Sequence, residues 1–249
     1  MSSSVKSIQW PGKTISAIEV YHTIPSTNSF AKDRIKSDCP TGTVIWALNQ
    51  TQGRGRRGRE WKSDNSSLAI SIAWSWPSRE SLGILPLMIG LGLVQEFKSL
   101  IPDVKVKWPN DLWVGERKLG GILLETIRFN KTLWVIAGIG LNVNRSVQFS
   151  SGLWVSMEEL TGVSWCRLGI LDRVLVGVER ARALHNEEHQ DLTGLFRIHG
   201  NFLDRPIKII QGDRSSEVKA QKVLHDGRLL VEDAHGQKVV LPDEISLRF

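Results

Sequence analysis

The sequence has little sulfur: two cysteines, Cys39 and Cys166, lie far apart in 249 residues. They make neither a metal-ligand nor a redox spacing. So few thiols exclude a disulfide-stapled scaffold and fit a reducing cytoplasm. Long apolar runs are also missing. Leu82–Val94 is apolar, but it is too short to cross a bilayer and is interrupted by Pro86 and three glycines. No membrane partner is expected, and Met1–Lys13 lacks the apolar core of a secretory signal. There is no low-complexity linker and no internal repeat. Several common site signatures fail as well. Gly12-Lys13-Thr14 imitates the end of a phosphate loop, but Ser7 stands where that pattern needs glycine. Gly138-Ile139-Gly140 is no dinucleotide fingerprint, because Val143 stands at the third glycine's place and no helix signal follows. His185 and His189 are four residues apart but have no evident third ligand, so a metal site is left unassigned. No order of Ser, His and Asp suggests a nucleophile elbow.

What is present begins with one loop. Gly53-Arg54-Gly55-Arg56-Arg57-Gly58-Arg59-Glu60-Trp61-Lys62 holds five cations and one carboxylate. Its net charge of +4 compares with +6 for the whole chain. Glycine lets a backbone approach a ligand closely, and arginine grips phosphate and carboxylate oxygens with a fixed fork of donors. Three readings compete: a solvated surface loop, a nucleic-acid contact, or an ordered anion-binding loop. Strand-like runs flank it at Thr43–Leu48 and Leu68–Trp76. Loops held by a scaffold in this way carry binding and catalysis, which favours the third reading.

The remaining pattern is mixed. A first strand is expected at Ile15–His22, then a helix to about Lys36 capped by Ser26 or Thr27. A helix is expected over Leu82–Leu100 with Pro86 near its start, and a strand over Val104–Trp108. Further strands are expected at Ile122–Ile127, after a turn at Gly115–Arg117, and at Leu133–Ala137. Ser156 is expected to cap Met157–Leu160. Leu168–Glu188 has one apolar face at helical spacing, and Leu192–His199 adds a short helix. From about Arg205 the composition changes to five short strand-like runs separated by Gly212-Asp213, Asp226-Gly227 and His235-Gly236. This small all-β unit needs to dock on the larger one for stability.

The dense stretches also resemble a family. The Gly/Arg loop, then Lys107-Trp108-Pro109-Asn110-Asp111, Lys118-Leu119-Gly120-Gly121-Ile122 and Gly138-Ile139-Gly140-Leu141-Asn142 resemble, in that order, biotin–protein ligases. Pro25-Ser26-Thr27-Asn28 fits the family's first motif. Arg205-Pro206-Ile207-Lys208 and Glu244-Ile245-Ser246-Leu247-Arg248 look like its small C-terminal domain. The resemblance covers nearly the whole chain from about residue 18.

The resemblance implies an α+β fold: a mixed, largely antiparallel sheet with helices, of class II synthetase type, over residues 1–203. A C-terminal SH3-like β-barrel is implied over residues 204–249. It implies activation of biotin by ATP with Mg²⁺, giving biotinyl-5′-AMP, then transfer to a lysine of a biotin carboxyl carrier protein. Arg56, Lys118 and Asp111 match the catalytic positions. Ser26, Thr27, Gln50, Gly53, Arg54, Lys118, Gly121 and Gly138 match biotin contacts. Arg56, Arg59, Trp61, Lys107, Asn110, Asn142 and Arg248 match nucleotide contacts. A homodimer through a sheet edge is also implied. Repressor members carry an extra N-terminal DNA-binding domain, which this sequence does not match, so operator binding and other nucleic-acid partners are not expected. Two rivals stand beside this reading. A lipoate–protein ligase uses the same chemistry, but with a different Arg-Gly-Gly loop and a His-Asp pair. A nucleic-acid-binding module leaves the Asn110-Asp111 and Lys118–Gly121 stretches unexplained.

Overall fold

The computed structural model describes residues 6–8, 10, 14–77, 81–146, 152–185, 191–211, 214–242 and 246–248. An eight-stranded sheet organises the larger part. Its strands are β1 (Lys6–Ile8), β2 (Ala17–Ile24), β3 (Thr43–Gln50), β4 (Ser67–Trp76), β5 (Val104–Lys107), β6 (Asp111–Val114), β7 (Arg117–Phe129) and β8 (Thr132–Asn142). Their spatial order is β1-β2-β3-β4-β8-β7-β6-β5. Helix α1 (Thr27–Lys36) is the crossover between β2 and β3, the parallel neighbours; the other described ladders of this sheet are antiparallel. A crossover of this kind is what parallel strands require.

Strand alternation sorts residues onto two faces. Val44, Trp46, Ile70, Ile72, Val135 and Ala137 enter the main core with α2 (Leu85–Phe97) and α4 (Arg167–His185). Ile45, Ala47, Ala73 and Ile136 point the other way, onto Ala31 and Ile35 of α1. Helix α2 is buried nearly all round, with Pro86 in its first turn, as the apolar stretch suggested. It crosses α4 backbone to backbone: a Cβ on Gly92 would sit 2.1 Å from the carbonyl oxygen of Gly177.

Three local expectations are corrected. Ser26 occupies the N-cap of α1, but its side chain makes no cap bond; instead Gln50 Oε1, reaching from β3, accepts from the Thr27 N–H at 2.8 Å. Strand β8 does not end at Ala137 but continues through Gly138-Ile139-Gly140 to Asn142. Strand β7 likewise starts at Arg117 rather than Ile122, after a turn that places Gly115 at φ +56°. In both strands glycines that look like breakers in sequence are paired residues of the sheet. The short helices match closely: α3 (Met157–Thr161) begins with a capping box of Ser156 and Glu159, and α5 covers Leu192–His199.

The C-terminal strands β9 (Pro206–Gln211), β10 (Arg214–Val223), β11 (Leu229–Asp233), β12 (Gly236–Val240) and β13 (Ser246–Arg248) form a second sheet ordered β12-β11-β10-β9-β13. Gly212-Asp213 and Ile245 of the expected turns and strands lie outside the described residues. The hydrophobic core runs from the large sheet into this one through Ile207, Val218, Leu229 and Val231. Trp108, 1% exposed, donates its indole N–H to the Gly227 carbonyl at 3.0 Å.

Candidate active site

On the α1 face the register sets small residues side by side. Ala69 of β4 pairs with Gly140 of β8, which pairs with Gly121 of β7. One row on, Ser71 pairs with Gly138, which pairs with Leu123. Small residues on all three strands in the first row, and on β4 and β8 in the second, leave a hollow on the sheet. A cavity of about 800 Å³ lies over it, a size that suits a small ligand. Its lining includes Ser26, Thr27, Gln50, Arg54, Arg56, Arg59, Trp61, Lys107, Asn110, Asp111, Lys118, Gly121 and Gly138. Thirteen of the sixteen residues expected from sequence therefore share one cavity.

The Gly138 row is polar. Gln50 Oε1 also lies 3.1 Å from Thr27 Oγ1, and Ser71 Oγ sits 2.7 Å from Thr27 Oγ1 and 2.5 Å from Asn28 Oδ1. Asn28 lies close over the strand: a Cβ on Gly138 would be 2.3 Å from its Oδ1. Asn28 Nδ2 donates to Glu125 Oε2 at 2.8 Å. Glu125 also receives Lys32 Nζ at 2.7 Å and Arg54 Nη2 at 3.1 Å. Burial works to raise the pKa of the Glu125 carboxyl. Hydrogen bonds from Lys32 and Asn28, with the charges of Lys32 and Arg54, outweigh it and hold the carboxyl below the usual carboxylate range.

The Gly121 row is cationic. Lys118 Nζ meets Asp111 Oδ1 at 2.7 Å, and a Cβ on Gly121 would lie 3.1 Å and 3.2 Å from those two atoms. Trp61 and Trp154 flank the ammonium, with ring centroids 5.8 Å and 5.5 Å away, and meet each other edge to face. The Trp61 ring lies against Gly140, where a Cβ would fall 2.4 Å from it. Lys107, 7% exposed, stands 3.3 Å from the centroid of the Trp113 ring, a cation–π contact. Arg56 donates to Asn110 Oδ1 at 3.0 Å and to the backbone carbonyl of Pro242 in the C-terminal unit. Asn110 in turn donates to the Ile122 carbonyl at 2.7 Å.

The Gly/Arg loop is closed by its own ladder, with a 2.7 Å bond from the Gly55 N–H to the Arg59 carbonyl. Gly58 has φ +71°, as a loop glycine should. Arg57 has φ +58°, which costs a non-glycine residue about 1 kcal/mol or more.

Three expected residues lie elsewhere. Gly53 is buried under the loop, where a Cβ would meet the Trp61 carbonyl at 2.2 Å, so it shapes the loop rather than lining the cavity. Asn142 is 3% exposed and lines a neighbouring cavity of about 220 Å³ with Trp154 and Ser156. Its Nδ2 bonds the carbonyls of Lys118 and Val155, while its Oδ1 is buried with no partner among the described residues. Arg248 lies in β13, and its side chain is outside the described residues. Sequence reading missed Ser71, Glu125, Trp113 and Trp154 and gave Asn28 no role. Glu125 was findable: counting in twos from Gly121 puts it on the site face of β7.

Among the described residues no three or more His, Cys, Asp or Glu side chains converge as a metal site, and no helix is long and apolar enough to cross a membrane.

Residues 20–142 match the model of the biotin/lipoate A/B protein ligase family. The bifunctional ligase/repressor BirA of Escherichia coli is 34% identical over 242 residues, covering 93% of this chain and 74% of its own. That of Salmonella typhimurium is 32% identical over 240 residues with the same coverage. The structure superposes with a TM-score of 0.77 on the Aquifex aeolicus biotin protein ligase in complex with biotin and ATP, at 28% identity. The match covers 93% of this chain and 98% of that one. Motifs, fold and relatives agree, and the chain belongs to the biotin/lipoate A/B protein ligase family.

Proposed function

We propose that this protein is an ATP-dependent biotin–protein ligase. The observation that carries the reading is a single cavity with a polar row and a cationic row. They lie two residues apart along the strands, roughly 7 Å. A small acid with a hydrogen-bonding head and a carboxylate at its far end needs that arrangement.

In the first step a carboxylate oxygen of biotin attacks the α-phosphorus of ATP. The bond to pyrophosphate breaks and biotinyl-5′-AMP forms. Two anions must meet, so the barrier is largely electrostatic. Lys118 and Arg56 neutralise the carboxylate and the α-phosphate and hold them in line; Asp111 orients Lys118. Thr27, Gln50 and the backbone at Gly138 and Gly121 receive biotin, with Ser26 and Arg54 beside them. Lys107, Arg59 and Asn110 serve the phosphates and ribose. Trp61 covers the adenylate, and the buried Asn142 Oδ1 offers an acceptor to the exocyclic amine of adenine. Gly53 and Arg248 remain contacts on the strength of resemblance alone. In the second step a lysine amine of a biotin carboxyl carrier protein attacks the mixed anhydride; AMP leaves and an amide forms.

Mg²⁺ fits as a companion of the triphosphate rather than a resident of the protein. The lining offers scattered carboxylates at Glu60, Asp111 and Glu116, and Mg²⁺ is commonly held by one or two carboxylates plus substrate phosphates. It would neutralise phosphate oxygens. Residues 1–203 carry this chemistry, and residues 204–249, as an SH3-like unit, bear on it through the Pro242 contact to Arg56. A cytoplasmic setting agrees with the two free cysteines, and a homodimer through a sheet edge is what the resemblance implies.

Isothermal titration decides between acids. Biotin should bind and lipoate should not, and biotin should bind more tightly once ATP and Mg²⁺ are added. Lipoate binding in place of biotin would overturn the reading.

A further inference from the structure

We infer that Glu125, which does not line the cavity, is the positioning residue that joins biotin binding to closure of the Gly/Arg loop. The inference rests on the biotin-ligase reading above. Glu125 stands on β7 behind the polar row and is reached from three directions. Asn28 comes from the first turn of α1 at 2.8 Å, Lys32 from the next turn at 2.7 Å, and Arg54 from the Gly/Arg loop at 3.1 Å and 3.3 Å to its two oxygens. Its side chain is 22% exposed, and the bonds from Asn28 and Lys32 are partly buried, whereas Arg54, 44% exposed, reaches it from the surface. Asn28 and Arg54 line the cavity; Lys32 and Glu125 are not part of its lining.

The two cavity residues held by this one carboxylate belong to different functions. Asn28 is the end of the chain Gln50–Thr27–Ser71–Asn28. The amide has only one way to satisfy both ends. Its Oδ1 accepts from Ser71, so its Nδ2 must donate to Glu125 and, at 3.4 Å, to the Leu123 carbonyl. Glu125 therefore fixes which way Asn28 presents its groups above Gly138. Arg54 is the first cation of the loop that carries Arg56. It pairs with Glu60 across the loop's short ladder, so an anchor at Arg54 tethers the loop base to β7. A ligand that tightens Asn28 on Glu125 thereby tightens the loop, and a closed loop holds the polar row in its binding geometry. Networks of this kind act as a unit and are apportioned by double-mutant cycles.

Lys32 supplies the control. It meets the same carboxylate from outside the cavity, so its loss tests what a merely structural partner of Glu125 contributes.

The test uses the full chain with Glu125→Gln, Arg54→Gln, the double variant and Lys32→Met. Biotin affinity is measured by titration, biotinyl-AMP dissociation by stopped flow, and ATP KM in pyrophosphate release. Glu125→Gln should weaken biotin about tenfold and speed adenylate dissociation about tenfold, with ATP KM within twofold. The double variant should be no worse than the worse single one, because both break one link. Lys32→Met should lower thermal stability yet leave biotin affinity within twofold. The inference is overturned if Glu125→Gln binds biotin and retains the adenylate like wild type. It is also overturned if the two substitutions multiply, or if Lys32→Met weakens biotin as much as Glu125→Gln. Should Glu125→Gln not fold, Arg54→Gln alone decides: unchanged biotin affinity would contradict the link. Failure of wild type to bind biotin at all would instead strike the ligase reading itself.

Discussion

At the scale of single residues, what is missing from a side chain matters as much as what is there. The site floor exists because Gly121, Gly138 and Gly140 meet across β7 and β8. Adding one methyl at Gly138 would put a carbon 2.3 Å from Asn28 Oδ1. Asn28 cannot withdraw without breaking its bonds to Ser71 and Glu125. Gly138→Ala should therefore cost about 1–3 kcal/mol of overpacking and displace the polar row. The expected outcome is a melting temperature several degrees lower and biotin affinity reduced at least tenfold in titration. Wild-type affinity in that variant would mean that the close approach is not part of the site. These glycines were legible in sequence as motif residues, but not as strand residues. Period-2 alternation is invisible where the alternating side chain is a hydrogen atom, which is why β8 looked as if it stopped at Ala137.

At the scale of elements, the Gly/Arg loop was the most legible feature. Its charge, its glycines and its strand flanks pointed to anion binding, and the structure puts seven of its residues, Arg54, Gly55, Arg56, Arg57, Arg59, Glu60 and Trp61, on the cavity. What could not be read was how each cation is held: Arg54 by Glu125, which is 71 positions away in sequence, and Arg56 by Asn110 and the Pro242 carbonyl. Such pairings come from tertiary packing, which local propensity does not encode. The same is true of the α1 N-terminus, capped by Gln50 from another strand rather than by Ser26. If the loop retains the reactive anhydride as well as activating it, Arg56→Ala and Gly58→Ser should leak biotinyl-AMP. Gly58→Ser acts through backbone alone, since no atom lies within 4 Å of the added Cβ while φ is +71°. Free biotinyl-AMP in the medium, followed by mass spectrometry over minutes, should exceed the wild-type level several-fold. Equal release would show that the loop does not retain it.

At the scale of the whole molecule, the fold brings three distant tracts of chain to one place. The Gly/Arg loop, the turn between β5 and β6 and the C-terminal unit meet around Trp108, Asn110 and Arg56. The small β unit was legible as a composition change near Arg205, and its need to dock followed from its size. Its shared core with the large sheet and its grip on Arg56 required the structure. The central claim is that this assembly activates biotin and hands it to protein. The most direct measurement is to incubate the protein with biotin, ATP, Mg²⁺ and a biotin carboxyl carrier domain, and to weigh the carrier by mass spectrometry. Lipoate replaces biotin in a parallel reaction. The account expects a single added biotinyl group on one lysine, dependent on ATP and greatly reduced by Lys118→Met, with no product from lipoate. A carrier left unmodified under conditions where wild-type enzyme is folded and binds biotin, or one modified by lipoate instead, would contradict it.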